Sequence, residues 1–412
     1  MSPDSDQTLA LTHYVSLKGF GGVEQQFRAF AAHAARRDDL TQNVVVSSRS
    51  VHPHHRSLLS DMSGWHYEKA VLRLSIPHRP AALRRWRYRW VARHPRADVA
   101  LLWNRLGQQA RVLDAVGVRR CLYWEHGSAW LAGESREKAS VLERLPAVIC
   151  NSHAARRMLE LHWGYTGTVR VCLNGMRSAG RPGVARIRRF DRPLRLGVAC
   201  RLVPIKATCL ALHTLAILRE RGRDVRLSIA GDGPLRASLS ALASALGVAD
   251  HVEFKGVVRD MPAFFAEIDV LLHPALREPF GVVAAEAGAA GCPVVCTAVD
   301  GLPEVVADGK TGRCVPASGD LARYRELGGS TGGLPPVVYV PGSDRVEAPR
   351  ICEPADLAEA VATVVDDADG YARMSQAAID RVASRFDFDH HVDRVLAAAA
   401  EYAETGTLES GS

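Results

Sequence analysis

The sequence predicts an α/β protein made of two consecutive doubly wound units, each a parallel sheet flanked by helices. Three observations carry this. The chain has 412 residues, about two to three times a typical domain of roughly 150. Short apolar runs alternate with helix-length amphipathic segments along most of it. A stretch rich in Pro, Gly and Arg, SAGRPGVARIRRFDRP at 178–193, interrupts this rhythm, which then restarts.

In the first half the strand-like runs are NVVVSS (43–48), ADVALLW (97–103), RCLYWEHG (120–127), AVICNS (147–152) and TVRVCLNG (168–175). In the second they are LRLGVAC (194–200), VRLSIAG (225–231), VEFKGV (252–257), VLLHPA (270–275) and PVVCTAV (293–299), with helical stretches at 206–221, 234–246 and 280–290. Runs this apolar suit strands covered on both faces. The expected division is 1–185 for the first domain, 186–388 for the second, and 389–412 for a closing helix and tail that crosses back to the first. A Gly- and Pro-rich tract at 317–354 breaks the pattern and reads as an insertion or long surface loop.

Hydrophobic residues make up 47% and charged residues 24%, the balance of a soluble globular chain. The nine cysteines form no CxxC pair, and Cys150, Cys200 and Cys296 lie in apolar runs, which fits reduced, buried thiols in a cytosolic protein. The start MSPDSDQTLA lacks the basic and apolar regions of a leader, and no apolar run reaches the roughly 18 residues of a spanning helix. The expected location is therefore the cytoplasm. The net charge of +7 is concentrated in the first half, notably at 79–96. There Arg84, Arg85, Arg87 and Arg89 interleave with Trp86, Tyr88 and Trp90, either as a belt on an anionic membrane surface or as a solvated helix with inward aromatics. No nucleic-acid-binding motif accompanies the charge.

In doubly wound units ligands bind beyond the carboxyl ends of the strands, so chemistry is sought just after each run. Arg201 and Lys206 in CRLVPIK are two cations across a turn, able to clamp a diphosphate. Gly231 and Gly233 in GDGP permit a tight strand-to-helix turn. In REPFGVVAAEAGAAG (277–291), the backbone N–H groups of Phe280, Gly281 and Val282 open a helix and offer an anion site. Glu278 precedes that helix and Glu286 lies within it, roughly 9–12 Å apart along the backbone. That is too far for a shared-proton pair but suits two ends of one elongated ligand. Gly21 and Gly22 in LKGFGGVEQQ form a Gly-rich turn that can approach a phosphate, and His126 closes the run RCLYWEHG. The HPHH cluster (52–55) lacks a matching carboxylate or distant His, so no metal site is expected.

Taken in order, GGVE, EHG, NS (151–152), LNG (173–175), CRLVPIK, GDGP, the two glutamates eight apart and GLPEVVADGKTG (301–312) resemble the retaining GT-B glycosyltransferases of family 4, glycosyltransferase group 1. The resemblance implies two Rossmann-like domains facing a central cleft, the first for acceptor and the second for a nucleotide-sugar donor. By position it implies that Arg201 and Lys206 hold the donor diphosphate, Glu278 reads sugar hydroxyls and Glu286 binds the ribose. Phe280, Gly281 and Val282 would supply backbone contacts, Gly22 would lie near the phosphates, His126 near the transferred sugar and Glu304 close to the nucleotide. Cys200 and Ala207 stand where the family often has glycine, and the 317–354 tract is long for it, shaping the acceptor side or decorating the surface. The implied reaction moves a sugar from a UDP- or GDP-linked donor to a hydroxyl of a glycan, lipid-linked or small-molecule acceptor, with configuration retained and no metal or other cofactor. Polysaccharide, lipopolysaccharide or lipid-linked glycan assembly is the implied setting, at the inner face of a membrane if 79–96 touches one. The rival readings are a nucleotide-sugar epimerase of the same fold and a non-catalytic nucleotide-sugar binding module.

Overall fold

A computed structural model of the chain describes residues 8–19, 21–47, 50–60, 62, 64–67, 70–71, 74–75, 82–83, 86, 89–90, 97–177, 183–189 and 191–409. Contacts divide the chain into two compact units. One comprises Met1–Asn151, Leu159–Leu173 and Asp389–Ser412, the other Ser152–Met158 and Asn174–Phe388.

Among its described residues the first unit contains β1 (Leu9–Val15), β2 (Leu40–Val46), β3 (Gly64–Tyr67), a short β4 (Ala70–Val71) and β5 (Leu74–Ser75) pair, β6 (Val99–Trp103), β7 (Cys121–Glu125), β8 (Ala147–Cys150) and β9 (Thr168–Val171). Seven of these form a sheet in the order β3-β2-β1-β6-β7-β8-β9, parallel at each pairing. β6, β7 and β8 are buried at every position, as strands covered on both faces must be.

The stretch LALTHYV forms the inner strand β1, which the apolar runs do not reveal because Thr12 and His13 stand in its middle. Both are buried nonetheless. The His13 ring is bonded on both sides, with Nδ1 accepting from Trp103 Nε1 at 3.1 Å and Nε2 lying 3.1 Å from Gln42 Oε1. Two satisfied nitrogens make a polar ring tolerable in a core. The helix Phe388–Thr405 contributes to the same unit, with Tyr402 donating to the carbonyls of Val118 and Cys121.

The second unit has six parallel strands in the order β12-β11-β10-β13-β14-β15: β10 (Leu194–Ala199), β11 (Val225–Ala230), β12 (Val252–Gly256), β13 (Val270–His273), β14 (Val294–Thr297) and β15 (Gly312–Val315). The helix Thr208–Glu220 buries Leu210, Leu212, Leu215 and Leu218 in the core of this unit. Each buried leucine contributes about 1.5–3 kcal/mol of transfer free energy.

The contact boundary falls after Leu173, not at 185. The reason lies in 183–189, which reads as linker in the sequence but is stitched to the second unit. Gly183 N–H donates to Ala289 O, Arg186 donates to the carbonyls of Phe265 and Ile268, and Arg188 lies 3.7 Å from Asp269.

The 317–354 tract also departs from a surface loop. It forms a helix (Leu321–Glu326) with Tyr324 only 1% exposed, then a hairpin of β16 (Val338–Val340) and β17 (Arg345–Glu347). Paired backbone bonds between Gly319 and Ile351 close its neck, and Ile351 and Cys352 join the core. Its apolar signal, VVYV at 337–340, is short and hidden behind GGLPP.

Candidate functional site

In the second sheet the strand order reverses between β10 and β13, the switch point at which doubly wound sheets open a crevice. The chain leaving β10 turns through 200–207. Gly231 makes that turn possible, since its φ is +137° and a Cβ there would stand 1.8 Å from Cys200 O. A single 3-10 turn, Pro204–Lys206, then delivers Lys206 to the switch point.

Lys206 Nζ donates to Glu278 Oε2, and His273 Nε2 lies 3.0 Å from the same oxygen. The side chains are 20% exposed for Lys206, 15% for Glu278 and 3% for His273. Burial opposes ionisation of Glu278, but the Lys206 charge and the His273 hydrogen bond outweigh it and hold the carboxyl well below the usual carboxylate range. Glu278 is therefore a fixed anion braced by two donors. His273 was not among the sequence candidates, although a polar residue closing the buried run VLLH was a usable signal. Arg201 shares the loop with Lys206 and is exposed, without an ion pair among the described residues.

The loop from Glu278 to Gly281 leads into the helix Val282–Ala289, which starts two residues later than the sequence suggests because Gly281 caps it at φ +105°. Phe280 is a core side chain, 2% exposed and edge-on to Phe386 at 5.4 Å, so only its backbone can serve a ligand. The amides of the first turn carry the positive end of the helix dipole. Glu286, one turn inside, has no ion pair among the described residues, and burial pushes its carboxyl up to about 7. Glu304, expected near a nucleotide, is held by backbone amides. Its two oxygens accept from the N–H groups of His153 (2.8 Å) and Ala154 (2.7 Å), the first residues of the helix His153–Arg157. Burial outweighs those bonds and raises its carboxyl to about 7.

In the first unit, Gly21 caps the helix Gly22–Ala34, and its N–H donates to Glu24 Oε2 at 3.1 Å, so an anion of the chain itself stands at this helix start. Gly22 is exposed with open space where a side chain would be. His126 follows β7, stacked flat on Trp103 at 5.3 Å and against Trp124 at 4.7 Å. Burial, with His391 nearby, lowers its pKa to about 3, so the ring is neutral at physiological pH. Its Nε2 is buried without a hydrogen-bond partner. Such a ring can offer or take one hydrogen bond but supplies no positive charge.

Among the described residues, no group of three or more His, Cys, Asp or Glu is arranged to hold a metal ion. In the HPHH cluster, His55 Nε2 lies 3.0 Å from Gly19 O and ties that segment to the Gly-rich turn. No helix described is long and apolar enough to cross a membrane. The arginine and aromatic stretch at 79–96 lies largely outside the described residues, including Arg84, Arg85, Arg87 and Tyr88. Leu83 and Trp86, which are described, are 41% and 51% exposed.

Two parallel α/β sheets of this topology make a GT-B fold. The chain superposes on Anabaena Alr3699/HepE in complex with UDP and glucose with a TM-score of 0.69 at 18% identity, covering 95% of this chain and 99% of that one. Against a glycosyltransferase from Rickettsia africae the TM-score is 0.72 at 14% identity, covering 97% and 99%. At such identities the likeness is one of fold. Residues 193–325, which carry Arg201, Lys206, Glu278, Glu286 and Glu304, match the model of the family Glycosyl transferases group 1. The chain is 42% identical over 136 residues to a GDP-mannose-dependent alpha-(1-6)-phosphatidylinositol monomannoside mannosyltransferase of Mycolicibacterium smegmatis, covering 30% of this chain and 35% of the relative. It is 38% identical over 140 residues to a D-inositol 3-phosphate glycosyltransferase of Streptomyces coelicolor, covering 31% of each. The matches thus span about a third of the length of these two relatives. Similarity to a glycogen synthase of Mycobacterium tuberculosis is weaker but longer, 26% over 363 residues and 85% of this chain.

Proposed function

We propose that the chain is a retaining glycosyltransferase that moves a sugar from a nucleoside diphosphate sugar to an acceptor hydroxyl. The observation that carries this is the Lys206, Glu278 and His273 cluster at the β10/β13 switch point, next to the start of the helix Val282–Ala289. Cations and helix amides are what a departing diphosphate requires, and a carboxylate held ionised is an acceptor for sugar hydroxyls. Glu286, further along the same helix and without an ion pair among the described residues, is suited to the ribose hydroxyls.

In this reading the bond from the anomeric carbon to the diphosphate oxygen breaks with its electron pair, and the acceptor oxygen bonds to the same face of that carbon. The acceptor proton passes to the departing diphosphate. Lys206, Arg201 and the helix amides stabilise the leaving charge. The named donor of one relative, GDP-mannose, and the UDP-glucose seen with HepE support a UDP- or GDP-linked donor. Inositol-containing acceptors of the relatives support a polyol or lipid-linked acceptor. With a lipid-linked acceptor, the basic and aromatic 79–96 stretch would rest on the membrane surface at its inner face.

A thermal-shift screen of UDP-, GDP- and ADP-sugars tests the donor directly, because a ligand that binds only the folded state raises its stability by mass action. One nucleotide class should raise the midpoint by several degrees at about 100 times its Kd. No shift with any of them would remove the reading.

A further inference from the structure

The 317–354 excursion is linked to both sides of the Lys206 and Glu278 pair, through Asp300 on the Glu278 side and through Pro204 on the Lys206 side. On one side, Asp300, fully buried, accepts the Glu278 N–H through Oδ2 at 2.9 Å and the Tyr339 N–H of β16 through Oδ1 at 2.8 Å. Asp300 N–H in turn donates to Tyr339 O at 2.9 Å, and Gly301 N–H donates to Glu278 O at 3.0 Å. The peptide groups of Glu278 are thereby held at both ends by residues 300 and 301. Gly301 is needed for that approach, since a Cβ there would stand 2.4 Å from Pro279 O. Asp300 itself adopts φ +47°, a conformation disfavoured for residues other than glycine and sustained here by its bonds on two sides. On the other side, Tyr324 Oη donates to Pro204 O at 2.6 Å, the first residue of the turn that presents Lys206. Leu276 N–H donates to Ile205 O at 2.9 Å and links that turn to the loop carrying Glu278.

We propose that the 317–354 excursion is a positioning frame for the Lys206 and Glu278 pair, acting on Glu278 through Asp300 and on Lys206 through Tyr324. Neither Asp300 nor Tyr324 touches substrate in this account. Both set the geometry of groups that do, and the catalytic consequence rests on the transferase reading above. A displacement of either charged group by a fraction of an ångström weakens stabilisation of the leaving diphosphate while leaving most binding contacts in place.

The test uses the full chain with Asp300→Asn and, as a milder change, Tyr324→Phe. Asparagine keeps one acceptor and turns an N–H donor toward the second amide, so one of the two buried N–H groups loses its partner. Amide hydrogen exchange of the peptide spanning 276–282 and steady-state kinetics with the donor sugar are measured together. For Asp300→Asn, exchange at the Glu278 amide should rise about tenfold or more, and kcat should fall by about ten to a hundredfold with KM within about threefold. Tyr324→Phe should lower kcat by about threefold to tenfold, with faster exchange across 203–208. Unchanged exchange, or faster exchange with unchanged kcat, overturns the frame. A wild-type protein that turns over no nucleotide sugar defeats the transferase reading instead, and the exchange data then still decide whether Asp300 holds Glu278.

Discussion

Lys206 and Glu278 form an ion pair across the β10/β13 switch point, and His273 Nε2 shares the same carboxylate oxygen at 3.0 Å. The pair is three-quarters or more buried, so each charge depends on the other. Lys206→Ala should destabilise the second unit by about 3 kcal/mol, because it strands a buried carboxylate. It should also weaken nucleoside diphosphate binding at least tenfold, by calorimetric titration. A variant as stable as wild type with unaltered affinity would show the pair to be incidental.

Glu286 presents the opposite electrostatics, a carboxyl raised to about 7 by burial with no cation offsetting it among the described residues. Glu286→Gln removes that liability. Stability of the second unit at pH 8 should rise by about 1–2 kcal/mol, and ribonucleotide affinity should fall about tenfold as ribose acceptors are lost. A loss of stability at pH 8 would mean that the carboxylate has a partner in the fold.

The most strongly shifted groups pull the two units in opposite senses in acid, with Glu125 in the first unit and His153 and His213 in the second working against them. In the first unit, burial lowers His13 to about 4, His126 to about 3 and His391 to about 4, against an ordinary 6.5. As pH falls below 6.5 the unfolded chain takes up these protons first, so stability is lost at up to about 1.4 kcal/mol per pH unit for each ring. In the second unit, Glu286 and Glu304 are raised to about 7 from an ordinary 4.5, so the folded state keeps its protons longer and gains stability from pH 7 down to 4.5. Calorimetry at pH 7.5 and 5.5, with transitions assigned by limited proteolysis, should show one midpoint falling and the other holding or rising. Parallel shifts would contradict these burials.

Gly231→Ala tests the turn that carries Arg201 and Lys206. A methyl group placed 1.8 Å from Cys200 O at φ +137° cannot be accommodated without moving the 200–207 loop. The expected cost is about 3 kcal/mol in denaturant unfolding, with loss of nucleotide binding. A neutral substitution would show that the loop adapts.

The strands that the sequence reveals are those whose residues are apolar throughout, such as VALLW of β6 and VLLH of β13. β1 is hidden because its buried Thr12 and His13 look polar, and the partners of the His13 ring, Gln42 and Trp103, lie far along the chain. The site splits the same way. The placing of Lys206 on a turn and of Gly281 and Glu286 at a helix start is legible from local chemistry alone. Glu304 is not, since its partners are amides of His153 and Ala154, some 150 residues earlier. Asp300 is silent for a similar reason, because it stands in a turn and its role depends on Tyr339 in a tract that reads as loop.

In the proposed reaction the braced Glu278 carboxylate serves a sugar transferred from a nucleoside diphosphate. Release of nucleoside diphosphate from the donor identified by thermal shift, followed with and without a polyol or lipid-linked acceptor, tests it in wild type and Glu278→Gln. Wild type should show acceptor-dependent release, and the variant a drop of about a hundredfold or more with its fold intact by circular dichroism. Wild-type rates in Glu278→Gln, or release that ignores the acceptor, would contradict it.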